Sequence, residues 1–465
     1  MTHELPDCRK SARFEAAGDL RLTWEIRFVE LSGEKAVQCP PEEIQVSPAS
    51  EGCGGGGDRK PLVDPVVVSC MQENRECSGV GRTWHTPRNT LNALRAKDLA
   101  GTPPVSPRSA NPLMPEAKTA RRKDAHLDLC AEGDVEPAGN STLLDCVHLV
   151  HSALPELALD DVELGLQMWG KGLRAPVLVT GMTGGTDRAR EVNRDLAQVA
   201  EKHGLAFGVG SQRAMAENKD LTRTFQVRDV APHVLLIGNI GLLQAIALGV
   251  DGVRKLVDAI DADGVALHLN AAQELSQPEG DRDFRGGYSL VQALASAFGE
   301  RFLVKETGCG ISPAVARRLV DCGVRTIDVS GLGGTSWVRV EQLRSTGELA
   351  ELGALFSSWG IPTAAAVASV RRAVGPAVKL IASGGIRHGL DVARALALGA
   401  DLAGMALPLF RAQQTGGVAG ADTAVRTVVA GLRQALLLTS SRTVADLRRS
   451  PRVVTAPLKD WMESL

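Results

Sequence analysis

The chain has no excess of either charge, no C-x-x-C pair and no apolar run long enough to cross a bilayer. Its 52 Lys and Arg nearly balance 54 Asp and Glu, leaving a formal net charge of -2. With no long basic run either, the charge argues against nucleic acid or an anionic membrane as the main partner. The nine cysteines are odd in number, so neither a disulfide framework nor a zinc site is indicated and reduced thiols are the default. Met1 to Lys10 has no apolar core behind it, so no secretory signal is expected and the expected place is the cytoplasm. What is present is enough for a sizeable core: 465 residues, 44% of them hydrophobic. That length suggests two to three domains, although α/β barrels run long as single units.

Residues 1–113 differ from the rest. They hold Gly54 to Gly57 in a row, prolines at 103, 104, 107 and 112, and five of the nine cysteines. No helical or strand period persists there, so the reading is a low-complexity, disordered or loosely folded extension with a short strand near Leu20 to Val29. Met114, just ahead of Pro115, is an alternative point for translation to start. Residues 114–174 are expected to form an arm, and residues 175–465 the main domain with its C-terminal helices.

From Ala175 onward, short apolar runs recur, each closed by a polar or glycine cluster. They are Pro176 to Thr180, Ala206 to Gly210, Val234 to Gly238, Val265 to Leu269, Phe302 to Lys305, Thr326 to Val329, Val378 to Ala382 and Leu402 to Met405. Helix-like segments such as Ala189 to His203, Leu243 to Ile260 and Leu390 to Leu398 separate them. Eight such runs, most of them roughly 25 to 30 residues apart, predict a (β/α)8 TIM barrel. An open doubly wound sheet is the alternative. The steps after the fourth and sixth strands are longer, which places lids or binding loops at the C-terminal face, where barrel enzymes carry their sites.

The strand ends carry the chemistry. After the fourth strand, His268, Asn270, Gln273 and Glu274 put an imidazole, two amides and a carboxylate within seven residues. A carboxylate there suits a hard cation. Ser383-Gly384-Gly385-Ile386-Arg387 closes the seventh strand and Gly404-Met405-Ala406-Leu407 the eighth; that pair of loops is the usual phosphate site of the fold. Gly181-Met182-Thr183, Ser211-Gln212-Arg213, Asn239, Lys305-Glu306 and Ser330 to Trp337 end the first, second, third, fifth and sixth strands. Lys305 needs a negative partner if buried, either a neighbouring carboxylate or an electron-rich ligand. Arg121-Arg122-Lys123-Asp124-Ala125-His126 is either a solvated patch or an arm that folds over the site.

At these residues the sequence resembles a family. In order, RKDAH, TGMTGG, GSQR, GNIG, HLN-x-x-QE-x-x-QPEGDRDF, KETGCGIS, VSGLGGTSW, WGIPT and SGGIRHGLDVARALALGAD resemble type 2, FMN-dependent isopentenyl-diphosphate isomerase over about residues 121–450. The resemblance implies an FMN-type barrel that interconverts isopentenyl and dimethylallyl diphosphate by flavin-assisted proton transfer, with FMN, Mg²⁺ and NADPH as reductant, in a homo-oligomer. It further implies that Gly181, Met182, Thr183, Ser211, Asn239, Lys305, Ser330, Thr335, Gly384, Gly385, Arg387, Ala406 and Leu407 hold FMN. Arg122, Lys123, His126, Ser211, Arg213 and Gln273 would face the substrate. Gln273, His268 and Asn270 would act in catalysis, Glu274 would bind Mg²⁺ and Trp337 would wall the site. Three positions depart from the commoner pattern: Ala125 where an acidic residue is frequent, Gly181 where alanine often stands, and Ser440-Ser441 where glycine is common. The last is expected to bear on subunit packing.

Other FMN barrels remain alternatives. A 2-hydroxy-acid oxidase needs a histidine after the sixth strand, where SGLGGTSW has none. A purine-nucleotide dehydrogenase needs a nucleophilic cysteine, for which Cys309 is the nearby candidate, more simply read as a packing residue. A flavin-binding regulator without catalysis is opposed by Gln273, Glu274 and Arg213.

Overall fold

The computed structural model describes residues 27–28, 35–36, 115–136 and 139–465. Near the N-terminus, Arg27–Phe28 pairs antiparallel with Lys35–Ala36. The rest of the expected 1–113 extension lies outside the described residues.

The eight apolar runs form one closed parallel barrel in chain order. Its strands are Val177–Val179, Ala206–Gly208, Leu235–Gly241, Gly264–His268, Phe302–Lys305, Thr326–Asp328, Lys379–Ala382 and Leu402–Met405. Alternation along each strand sends every second side chain inward. Leu178, Ala206, Leu235, Ile237, Ala266, Leu303, Ile381 and Leu402 thereby fill the lower interior as one cluster. A β-hairpin, Leu166–Met168 with Lys171–Leu173, adds Met168 and Leu173 to that cluster and stoppers the N-terminal end. Each buried leucine, isoleucine or methionine among them contributes about 1.5–3 kcal/mol.

The helices cover the outside. They run α1 Pro115–Glu132, α2 Asp187–His203, α3 Arg213–Glu217, α4 Leu242–Asp258, α5 Ala271–Ser276, α6 Gly287–Phe298 and α7 Pro313–Asp321. Then follow α8 Trp337–Arg344, α9 Glu348–Phe356, α10 Thr363–Val374, α11 Gly389–Ala397 and α12 Leu407–Leu437. Local chemistry sets their ends. Thr186 caps α2 by accepting from the Ala189 N–H, and Gly204 at φ 61 closes it. Ser312 caps α7, whose first residue is proline. The two long steps hold the extra helices: α5 after the fourth strand, α8 and α9 after the sixth. α5 packs on both α8 and α9, and α1 contacts α3, α8 and α12, so the arm crosses the C-terminal mouth.

Ser440 sits in a strained turn. The chain leaves α12 by a Schellman turn, in which the Ser441 N–H donates to Leu436 O at 2.9 Å and the Ser440 N–H to Leu437 O at 3.0 Å. Ser440 takes φ 50 there, a left-handed conformation that glycine adopts without steric cost. Its hydroxyl recovers a 2.7 Å bond to Ser152 Oγ. Ser440→Gly is therefore expected to stabilise the protein by up to about 1 kcal/mol, seen as a higher urea midpoint with an unchanged slope.

Candidate active site

The inward rows that are apolar low in the barrel turn polar at its C-terminal end. Asn239, His268, Lys305 and Asp328 lie at this level on the third to sixth strands, and Ser383 directly follows the seventh. Register explains their meeting: Lys305 is the backbone partner of both His268 and Asp328. Each then needs a partner in the low-dielectric interior.

His268 is held as a neutral ring. Asn239 Nδ2 donates to Val209 O at 3.0 Å, which leaves Asn239 Oδ1 as the acceptor 2.9 Å from His268 Nδ1. Nδ1 therefore carries the proton, and Nε2 is the ring's acceptor. Burial, reinforced by Lys305 and Lys123, pushes the pKa of His268 down to about 3.

Lys305 donates to Glu306 O at 2.6 Å. Burial lowers its pKa, against the pull of Asp328 and Glu306. Burial raises the carboxyl of Asp328, which accepts from Ser383 Oγ at 2.7 Å and from the Ser330 N–H at 3.2 Å. Glu306 turns away from the cavity. Its Oε2 takes the backbone N–H groups of Thr307, Gly308, Cys309 and Gly310, and burial pushes its pKa up to about 7. Cys309 is a thiol in that turn, driven up to about 12 by burial, which fits packing and not a nucleophile.

Beyond the strands, α5 and α8 face each other. Asn270 Nδ2 donates to Glu274 Oε1 at 2.9 Å and to Gln273 Oε1 at 3.3 Å, while the Asp281 N–H reaches Glu274 Oε2 at 3.1 Å. Gln273 Nε2 donates to Glu341 Oε1 at 3.2 Å. Glu341, fully buried, also meets His126 Nε2 at 3.0 Å and the Arg344 guanidinium. Burial drives its carboxyl up, but His126, Arg344 and Gln273 outweigh that and hold it below its ordinary range. The Gln273 amide is thus fixed at both ends. The sequence reading missed Glu341 because it stopped at Trp337, one helical turn earlier.

The arm supplies cations. Arg122 Nη1 donates to Gln277 Oε1 at 3.1 Å and approaches Glu279 Oε1 at 3.4 Å. Lys123 has no ion-pair partner among the described residues. Burial and the neighbouring charges of Arg122 and Arg213, only partly offset by Glu217, bring its pKa down to about 8. Arg213 is paired with Glu217 at 2.8 Å, yet three cations lining one cavity still favour an anion there. His126 stacks edge-on against Trp337, with ring centres 5.2 Å apart.

These groups line a cavity of about 880 Å³ that holds Arg122, Lys123, Ser211, Arg213, Asn270, Gln273 and Glu274. A second compartment of about 660 Å³ adjoins it, lined by Ser330, Gly334, Thr335, Gly384, Gly385, Arg387, Ala406 and Leu407. Gly181, Met182, Lys305 and Trp337 border both. In the second compartment the backbones touch. A Cβ on Gly384 would lie 2.0 Å from Gly331 O, and one on Gly334 would lie 2.3 Å from Gly385 N. α12 opens there without a side-chain cap, so the N–H groups of Leu407 and Leu409, with Pro408 having none between them, are free of a side-chain acceptor and suit an anion. Arg387 lies at the rim, bonded to Gly385 O at 2.8 Å, Gly333 O at 3.0 Å and Glu136 Oε1 at 2.7 Å. Glu136 was not singled out from sequence, nor was Gln244, which lines the first cavity. The glycine at 181 is forced locally, because a Cβ would meet Val209 O at 2.0 Å. Among the described residues no three His, Cys, Asp or Glu side chains group as a metal cluster, which leaves Glu274 as a single carboxylate.

A family model described as FMN-dependent dehydrogenase matches residues 268–454. The chain is 44% identical over 350 residues to the isopentenyl-diphosphate delta-isomerase of Aeropyrum pernix, covering 74% of this chain and 93% of that protein. It is 46% identical to the protein of the same name from a Synechococcus species, covering 73% and 97%. Among solved structures, a mandelate oxidase variant superposes with a TM-score of 0.52 at 18% identity, covering 73% of this chain and 98% of that one. That last likeness concerns the barrel alone.

The buried ring yields a pH prediction. His268 binds a proton at about 3 in the folded state but near 6.5 when unfolded. The unfolded chain therefore gains protons first, and stability contributed by the neutral ring is lost as pH falls below about 6.5. NMR of ring-labelled histidine is expected to show His268 as the neutral Nδ1–H form from pH 8 to pH 5.

Proposed function

The chain belongs to the isopentenyl-diphosphate delta-isomerase family, and from that premise we propose how its residues carry out the reaction. It is an isomerase of isoprenoid biosynthesis that interconverts isopentenyl diphosphate and dimethylallyl diphosphate. The observation that carries the reading at the site is the convergence of Arg122, Lys123 and Arg213 at one end of a cavity whose centre offers a fixed amide and a neutral imidazole.

FMN fits the second compartment. The glycine cradle of Gly384 and Gly385, the uncapped start of α12 at Ala406 and Leu407, and Arg387 would hold its phosphate. Gly181, Met182, Thr183, Ser211, Asn239, Ser330 and Thr335 would border the ring system, with Lys305 as the cation at its electron-rich edge. Reduced FMN would supply an electron-rich surface and a protonatable nitrogen.

The chain does the rest. Arg122, Lys123 and Arg213 bind the diphosphate, so that binding energy remote from the alkene positions it. Glu274 contributes one carboxylate to Mg²⁺, an ion commonly held by one or two carboxylates together with substrate phosphates. Gln273, anchored by Asn270 and Glu341, orients the reacting end, and His126 with Trp337 covers it. His268 stays uncharged, so it adds no positive charge where the alkene must acquire cationic character. NADPH as the source of reducing equivalents, the cytoplasm as the place of action and a homo-oligomer as the working form complete this reading. The apolar side chains exposed by α9 and the turn after it, Leu352, Leu355 and Trp359, support subunit contact. Residues 114–174 are the substrate-binding arm in this scheme and residues 175–465 the catalytic barrel.

Anaerobic assay with isopentenyl diphosphate, FMN, Mg²⁺ and NADPH is expected to give dimethylallyl diphosphate, with Gln273→Ala lowering kcat about 100-fold and Glu274→Ala weakening the metal dependence about 10- to 100-fold. Bound and reduced flavin without product would refute the assignment. Calorimetry with inorganic diphosphate is expected to show affinity falling as pH rises through about 8, where Lys123 loses its charge; Lys123→Met removes that dependence and costs about tenfold in affinity.

A further inference from the structure

One face of α1 runs from charge to oil along the substrate cavity. Arg122, Lys123, His126, Leu127 and Cys130 all line it, at spacings that put them on one side of a helix. The first two are cations, and the last two are buried, at 2% and 0% exposure. Burial drives the Cys130 thiol up to about 12, so it stays neutral and behaves as a small apolar group. From Lys123 to Cys130 the helix rises about 10 Å, the scale of a short alkenyl diphosphate from phosphate to terminal carbon. The far end is rigid. Arg411 on α12 donates to Cys130 O at 3.0 Å and to Gly133 O at 2.9 Å, and the Ser336 N–H donates to Val135 O at 2.9 Å, so the end of the helix cannot retreat to make room.

We propose that α1 is a ruler for the substrate: its cationic end fixes the diphosphate, and Leu127 and Cys130 form the wall that limits the hydrocarbon to five carbons. This rests on the isomerase reading above, with the alkenyl chain laid along the helix. A hydrocarbon larger by one methylene meets a packed wall, while trimming the wall makes space for it.

The test compares isopentenyl diphosphate with 3-ethylbut-3-enyl diphosphate, one methylene larger, in reduced holoenzyme carrying Cys130→Ala or Leu127→Val. Both variants are expected to raise the ratio of kcat/KM for the larger to the smaller alkene by about 10-fold or more, the usual worth of one methylene in an apolar pocket. Cys130→Ser, which keeps the volume, is expected to leave the ratio within about twofold. Binding of inorganic diphosphate and flavin content, measured in every variant, should match the wild type, because the cationic end is untouched and the fold intact. An unchanged ratio in variants that pass both controls overturns the ruler while leaving the isomerase in place. A wild-type holoenzyme inactive on isopentenyl diphosphate overturns the isomerase reading, and the ruler with it.

Discussion

Closure of the barrel is the constraint from which the site follows. Eight parallel strands that close on one another fix which side chains point inward, and the interior must be filled or its polar atoms paired. Below, aliphatic side chains and the Met168 hairpin fill it. Above, the same rows deliver Asn239, His268, Lys305, Asp328 and Ser383 to one level. Their identities are coupled, because no one of them is satisfied alone. Asn239 fixes the tautomer of His268, Ser383 braces Asp328, and Asp328 faces Lys305 as its strand partner. The floor of the candidate site is therefore also the top of the core.

What lies above that floor comes from the two long steps and the arm. α5 brings Asn270, Gln273 and Glu274, α8 brings Glu341, and α1 brings the cations and His126. Glu341 ties the three together, accepting from Gln273 and pairing with His126 and Arg344. Removing a charge so buried leaves its partners uncompensated, so the placement of Gln273 and His126 depends on it.

The barrel was legible in the sequence because short apolar runs bounded by polar clusters are a strong local signal. The fifth and eighth strands begin and end where the pattern says, at Phe302 to Lys305 and Leu402 to Met405. The third was read too short. Gly238 looks like a stop, yet the strand continues to Gly241, because Asn239 and Ile240 still pair with Ala266 and Leu267; the glycine instead makes room for Gln212 Oε1. Glu341, Gln244 and Glu136 were invisible for a different reason. Their roles exist only through contacts between segments far apart in sequence, and no local spacing marks them. The left-handed turn at Ser440 was not legible either, because only backbone geometry displays it.

The central claim is that this cavity moves a double bond by exchanging protons, with no net change in the flavin. Isomerisation of isopentenyl diphosphate by the reduced holoenzyme in D₂O, followed by NMR of the product and the absorbance of the flavin, tests it most directly. The account predicts dimethylallyl diphosphate carrying deuterium in a methyl group while the flavin stays reduced. Product free of solvent deuterium, or flavin oxidised in step with turnover, would contradict it.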